Sequence, residues 1–181
     1  IHWKRLQEEA VVPPSYGAFD SQNVSFWSAA EGKYLCYFRT WGAGNFQGVR
    51  TVSRATSDDF LQWSQPVAMK FRHGDDEAPA EHLYTNQTHP YFRAPHIYVS
   101  TPARFMPGRR VLTDDQAASV GVHPKYFNDT SDAVLMTSRG GDVFDRTFLS
   151  SFVRPGIGAS NWVSRSNYPA LNLVQTGPCE M

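Results

Sequence analysis

From residue 16 onward the chain alternates short apolar runs with turn signals, and this alternation constrains the fold more than any other feature. The runs are VSFWS, KYLCYFRTW, VRTVSRAT, PVAMKF, PHIYVSTPARF, DAVLMTS and RTFLSSFV, and each has the length and side-chain content typical of a strand. Between them stand AEG, GAGN, SDD, MPG and RGGD, which are typical of turns. Helical character is confined to KRLQEEA, residues 4–10. The pattern predicts an all-β domain.

Two stretches of the series look like copies of one four-stranded unit. TSDDFLQW at 56–63 aligns with TSRGGDVF at 137–144, since each follows a strand, begins with Thr-Ser and has an aromatic residue in its eighth position. FDSQNVSFW…KYLCYFR likewise aligns with LYTNQTHPYF…HIYVSTPAR, since each is a polar first strand followed by a short turn and a strand that ends in an arginine, Arg39 or Arg104. Because four short strands make one propeller blade, the repeat predicts β-propeller blades at about 16–70 and about 82–153.

The second copy contains a long insert, 106–131, which has no strand period and is expected to be a surface loop. The tail, about 168–181, resembles the opening strand of a third blade. Two blades and the start of a third cannot close a propeller, which needs about four or more. Residues 1–181 are therefore expected to be one partial domain from the N-terminal part of a longer protein.

Charge and composition exclude several functional classes. Lys and Arg total 17, as do Asp and Glu, so the net charge is zero and gives no basis for binding nucleic acid or an anionic membrane. The chain has no apolar run long enough for a transmembrane helix. Neither metal-ligand spacing, nor a phosphate loop, nor a nucleophile elbow occurs, so we expect no metal and no cofactor. Aromatic residues make up 14% of the chain, which suits both a β core and stacking on sugar rings.

TSDDFLQW also resembles the Asp-box hairpin, Ser/Thr-x-Asp-x-Gly-x-x-Trp, through Thr56, Asp58 and Trp63. The second copy retains Thr137 and Gly141 of that motif. Asp-boxes occupy outer turns of propeller blades, and a turn closed by an Asp side chain is the reading that we prefer here.

Four segments resemble a group of mostly uncharacterised bacterial proteins related to glycoside hydrolase families 43 and 32. They are FDSQNVSFWSAAEGKYLCYFRTW, EHLYTNQTHPYFRAPHIYVSTPARFMP, LMTSRGGDVFDRTF and TGPCEM. The resemblance spans nearly the whole chain from residue 16 and implies a five-bladed β-propeller.

The resemblance also implies catalytic roles. Enzymes of these families carry a base or nucleophile Asp on the first strand of blade one, and Asp20 has that position. Glu180, near the start of the third unit, has the position of the general acid. The second Asp of the families has no counterpart after Glu81, and Asn86 or His89 stands in its place.

Glycoside hydrolysis requires one ionised and one protonated carboxyl group across the scissile bond. The first strands of neighbouring blades line the central channel, so Asp20 and Glu180 are expected to converge there. The apolar neighbours of Glu180 would raise the pKa of its carboxyl, although a residue at the chain end equally fits a role without chemistry. Substrate-binding candidates are Asn23, Asn86, His89, Arg93 and, for an anionic sugar, Arg139.

Three functions remain open on these residues. The first is a glycosidase that acts on a poly- or oligosaccharide, with Asp20 and Glu180 as its carboxyl pair. The missing second Asp favours an alternative, a non-catalytic carbohydrate-binding propeller. The Asp-box suggests a third, a sialidase-like enzyme. Each implies a carbohydrate partner, and oligomeric state stays open. The N-x-S/T sequons at Asn23, Asn86 and Asn128 point to a secreted or periplasmic protein.

Overall fold

The computed structural model describes residues 2–123, 125–156 and 168–179, and within them the fold is all-β, as the sequence predicts. A 3-10 turn (Pro14–Tyr16) and one α-helix, α1 (Asp114–Ser119), are the helical elements of these ranges. No helix there is long and apolar enough to cross a membrane. The strands are β1 (Val24–Ser28), β2 (Lys33–Trp41), β3 (Arg50–Ser57), β4 (Val67–Ala68), β5 (Lys70–His73), β6 (Asp76–Glu77), β7 (His82–Leu83), β8 (His89–Tyr91), β9 (Ala94–Ser100), β10 (Ala103–Met106), β11 (Thr130–Ala133), β12 (Met136–Ser138) and β13 (Val143–Asp145).

The first sheet is an antiparallel meander in the order β1-β2-β3-β4. Successive side chains of a strand point to opposite faces of its sheet, and β2 is covered on both. Leu35 and Tyr37 enter the main core, whereas Cys36 and Phe38 enter a smaller cluster on the other face. This double burial explains why KYLCYFR is a nearly continuous apolar run.

The remaining strands form two further sheets, one in the order β6-β5-β13-β12-β9-β8 and one in the order β11-β10-β7. The pair β13 and β5 is parallel, and the other pairs are antiparallel. The main core draws on residues from each sheet, and each large apolar side chain buried there contributes about 1.5–3 kcal/mol. Its buried members are Val24, Leu35, Tyr37, Val52, Met69, Leu83, Tyr98, Val134, Met136 and Phe144.

Three runs that the sequence predicts as single strands are each divided between sheets. PVAMKF forms β4 in the first sheet and begins β5 in the six-stranded sheet. PHIYVSTPARF forms β9 in the six-stranded sheet and β10 in the three-stranded sheet, with Pro102 at the break. Proline has no backbone N–H to donate to a ladder, so the strand stops there. DAVLMTS divides in the same way into β11 and β12. RTFLSSFV forms no extended strand, and its Val153 makes an isolated bridge to Ala133.

The prediction of a helix at 4–10 is wrong, since this stretch is irregular and mostly exposed. A short segment without an apolar face to bury gains too little to offset the cost of starting a helix. The described helix lies instead in the insert, 106–131, that the sequence predicts as a surface loop. Thr113 and Gln116 form a capping box at its start, and Ala117 packs with Leu112 and Phe127. Residues 168–179, predicted to open a third unit, contain no strand.

The Asp-box stretch forms a side-chain-closed turn, but the acid that closes it is Asp59. The Asp59 carboxylate accepts hydrogen bonds from the backbone N–H groups of Leu61 and Gln62, each at 2.8 Å. Asp58, which the motif alignment selects, instead pairs with Lys33 at 2.8 Å. Phe60 stands at the glycine position of the motif and has the positive φ, 67°, that favours glycine there.

Buried ion pairs connect the β strands where the core is polar. Asp132 on β11 lies opposite Arg104 on β10, and its two carboxylate oxygens accept from the Arg104 guanidinium at 2.8 and 2.6 Å. Glu81 then bridges Arg104 and Arg146 at 2.9 and 2.7 Å. In another layer Glu31 accepts from both Arg54 and the Tyr98 hydroxyl, which ties the first sheet to β9.

Candidate functional site

Asp20 lies beside the end of β2 because residues 17–20 run along that strand. The backbone N–H of Ala18 donates to the carbonyl oxygen of Arg39 at 3.0 Å. Gly17 allows this approach, since a Cβ there would lie 2.7 Å from Phe38 Cδ2 and 2.8 Å from the Arg39 carbonyl oxygen. The close contact brings the Asp20 carboxylate onto the Arg39 guanidinium.

The Asp20–Arg39 ion pair is asymmetric. The Arg39 side chain is 5% exposed, whereas that of Asp20 is 66% exposed and reaches solvent. The hydrogen bond from Arg39 lowers the pKa of the Asp20 carboxyl, a small burial effect opposes it, and the charges of Arg39 and Arg50 lower it further. Asp20 is therefore an ionised, accessible carboxylate that a buried cation holds in one place.

Aromatic rings surround the two guanidiniums next to Asp20. Arg39 lies over the Tyr84 ring at 4.7 Å, and Arg50 lies 4.6 Å from the centre of the Trp41 ring, 5.1 Å from that of Tyr84 and 5.3 Å from that of Phe105. We call these five residues the arginine–aromatic cluster. Trp41 and Arg50 face each other across the β2–β3 register, and β7 leads into Tyr84, so two sheets build the cluster.

Four nitrogen atoms in the arginine–aromatic cluster are buried without a hydrogen-bond acceptor among the described residues. They are Nε and Nη1 of Arg39, Nε of Arg50 and Nε1 of Trp41. Most buried polar groups in folded proteins find partners, so this concentration of free donors is unusual. All four are N–H donors, so the cluster offers unpaired donors in addition to its two positive charges.

The stretch after Tyr84 packs against the stretch after Asp20. The Asn86 side-chain amide donates to the backbone carbonyl of Gln22 at 3.5 Å, and the Gln87 amide donates to the Gln22 side chain. Asn86 and Gln87 are almost fully buried. The structure therefore brings together the two stretches that the repeat alignment matched, and the second, unlike the first, contains no acid.

His89, a substrate-binding candidate from the sequence, lies just after this stretch and is also buried. Its Nδ1 lies 2.9 Å from the Gln87 carbonyl oxygen, and a carbonyl can only accept, so Nδ1 carries the proton. Nε2 is buried and has no partner in the described chain. His89 thus presents a lone pair rather than an N–H on that side when the ring is neutral.

The remaining predicted site residues occupy different surroundings. Asn23 is exposed and donates to the Phe19 carbonyl at 3.3 Å. Arg93 donates to the Pro178 carbonyl at 2.6 Å and so contacts the chain two residues before Glu180. Glu180 itself lies outside the described residues. Arg139 is exposed and lines a separate concavity with His73, Thr137, Asp145 and neighbouring residues.

Sequence reasoning missed the arginine–aromatic cluster, although one signal for it was present. Arg39 was selected only as the end of a repeated strand, and Arg104, at the equivalent position, also binds a carboxylate. Trp41 and Arg50 bracket the Gly-rich turn of a β hairpin, and an aromatic residue opposite an arginine is a favourable cross-strand pair. No group of three or more His, Cys, Asp or Glu residues within the described ranges is placed to hold a metal ion.

Comparison with known proteins gives a likeness of fold. No protein family profile matches the chain, and no curated protein matches it. The chain is similar in structure to an N-acetylgalactosamine deacetylase from F. plautii, solved in complex with blood group B trisaccharide, with a TM-score of 0.53 at 14% identity. The match covers 77% of this chain and 32% of the deacetylase chain, so this chain spans about a third of that protein.

Proposed function

We propose that this chain forms part of a carbohydrate-active β-propeller whose site is centred on Asp20. The observation that carries the proposal is the ion pair in which buried Arg39 holds an exposed, ionised Asp20 beside aromatic rings. Carboxylates accept hydrogen bonds from sugar hydroxyls, and aromatic rings offer apolar faces for sugar rings. The structural neighbour, a deacetylase solved with a trisaccharide, is consistent with this class of ligand.

The propeller architecture is supported by the first sheet. Its four strands follow one another as an antiparallel meander, which is the form of a propeller blade. The other strands lie in two sheets that share its core. A closed ring would need further blades, which we propose the remainder of a longer protein supplies.

The proposed reaction is glycoside hydrolysis with Asp20 as base or nucleophile. The lowered pKa of Asp20 keeps the carboxyl ionised near neutral pH, which suits these roles and is unsuited to the general acid. A second carboxyl must lie about 5–5.5 Å away for retention or about 6.5–9.5 Å away for inversion of configuration. We propose Glu180 for it, with Asn23, Asn86, His89 and Arg93 as candidates for holding sugar hydroxyls and Arg139 as a more distant contact.

A specific observation favours non-catalytic carbohydrate binding as a second candidate. In the second unit Asn86 or His89, neither of them an acid, stands in place of the family's orienting acid. Asn86 is 1% exposed, and its Oδ1 accepts from the Thr88 N–H at 3.1 Å. An amide is neutral, so a buried amide with this hydrogen bond does not supply the negative charge of a carboxylate. A site with one carboxylate can bind a sugar without cleaving it.

The test is an assay of the full-length protein against a panel of glycans, measuring both binding and release of reducing ends. For a catalytic base, Asp20→Asn should lower the rate about 10²–10⁴-fold, with folding checked by circular dichroism. Asp58→Asn is the matched control, because Asp58 is also an exposed acid in an ion pair. Binding by the parent protein without any release of product would support the second candidate. Absence of both binding and cleavage across the panel would refute the proposed function.

A further inference from the structure

Arg50 differs from the other arginines that lie mostly inside the fold. Arg39, Arg54, Arg104 and Arg146 each form an ion pair with a carboxylate. Among the described residues Arg50 forms none. A partly buried guanidinium without an ion pair of its own has a desolvation cost that is only partly offset.

The hydrogen bonds of the Arg50 guanidinium are also incomplete. Its Nη1 lies 3.3 Å from Nδ1 of His82, and that same ring nitrogen accepts from the Arg50 backbone N–H at 3.2 Å. Nε has no acceptor in the described part of the chain. His82 is neutral in this setting, because burial and then the Arg50 charge lower its pKa. Contact with His82 therefore adds no negative charge.

The side chain of Arg50 is nevertheless held in position. Trp41, Tyr84 and Phe105 place their ring centres 4.6, 5.1 and 5.3 Å from the guanidinium carbon. The Asp20 carboxylate is near enough for its charge to act on Arg50, but its ion pair is with Arg39. The cluster with Asp20 therefore has two cations and one anion, a net charge of +1. A fixed, planar guanidinium without an ion-pair partner of its own is suited to bind an oxyanion.

We infer that the glycan recognised at this site carries an oxyanion substituent, a carboxylate or a sulfate, and that Arg50 binds it. The inference rests on the proposed function and specifies its substrate class. The sugar ring would lie toward Asp20, and its anionic group toward Arg50. The free donors of the arginine–aromatic cluster favour the same ligand, because they are acceptor-deficient and an oxyanion supplies only acceptors.

The experiment uses the full-length protein and a glycan array of matched triplets, which terminate in galactose, galacturonate or galactose 6-sulfate and in glucose, glucuronate or glucose 6-sulfate. A hit is then titrated by calorimetry beside its neutral counterpart. A charge-assisted hydrogen bond is strong enough to raise affinity about 10–100-fold, so one anionic member should bind tighter than the neutral sugar by that factor. The carboxylate and sulfate arms identify which oxyanion the site takes.

In Arg50→Gln the affinity for the anionic sugar should fall to that for its neutral counterpart, and Arg50→Lys should retain part of the preference because the charge remains. Arg72→Gln is the matched control, since Arg72 is an exposed arginine paired with Asp145 on the six-stranded sheet. Thermal unfolding establishes that each variant is folded. Equal affinity for neutral and anionic sugars, or an equal loss of both in Arg50→Gln, would overturn the inference and leave the proposed function standing. Failure of the parent protein to bind any glycan would overturn both.

Discussion

Replacing Gly17 by alanine should destabilise the fold and displace Asp20. The added Cβ would lie 2.7 Å from Phe38 Cδ2 and 2.8 Å from the Arg39 carbonyl oxygen, where ordinary contacts begin at about 3.4 Å. Phe38 is fully buried, so its ring has little room to move. Overpacking of this kind costs about 1–3 kcal/mol. Backbone displacement would also break the hydrogen bond from Ala18 to Arg39, worth about 1 kcal/mol.

The expected loss in the free energy of unfolding is therefore about 2–4 kcal/mol, measured as a lower urea midpoint at unchanged m-value. The Asp20 pKa, followed by NMR, should also return toward its usual value, because the carboxylate is drawn away from Arg39. Gly42→Ala is the matched control, since its nearest contact would be an ordinary 3.4 Å to Val49 Cγ2. If Gly17→Ala were as stable as Gly42→Ala, the tight approach of residues 17–20 to β2 would be refuted.

Two further predictions concern buried charges. Asp132→Asn should lower the free energy of unfolding by about 3–5 kcal/mol, because it leaves the buried Arg104 without its bidentate partner. The control, Asp142→Asn, breaks an exposed ion pair with Lys70 and should lower it by less than about 1 kcal/mol. Similar urea midpoints for the two variants would contradict the larger cost of the buried pair. The pKa of His82 is lowered in the folded protein, so the unfolded chain binds that proton more readily and the free energy of unfolding should fall as pH drops below about 6.5. His82→Gln should flatten the dependence between about pH 7 and about pH 5, and an unchanged slope would show that other groups produce it.

Asp20 illustrates how far sequence reasoning reaches into the site. The family resemblance selected it by its position in the first strand of the first unit. The repeat alignment matched its stretch to that of Asn86, which the structure places alongside through Gln22. The partner that sets its charge state was not identified, because Arg39 lies 19 residues away on another strand. Local pattern can select an acid, but its pKa depends on which distant cation the fold brings to it.

The sequence by itself determined the all-β class, because apolar runs bounded by turn residues specify strands locally. Only the tertiary structure decided how those strands are shared among sheets. Pro102 divides one run, and DAVLMTS contributes β11 and β12 to different sheets because each strand pairs with residues distant in the chain. The arginine–aromatic cluster arises in the same way: neither Arg50 nor Tyr84 is distinctive alone, and their chemistry follows from a contact between sheets.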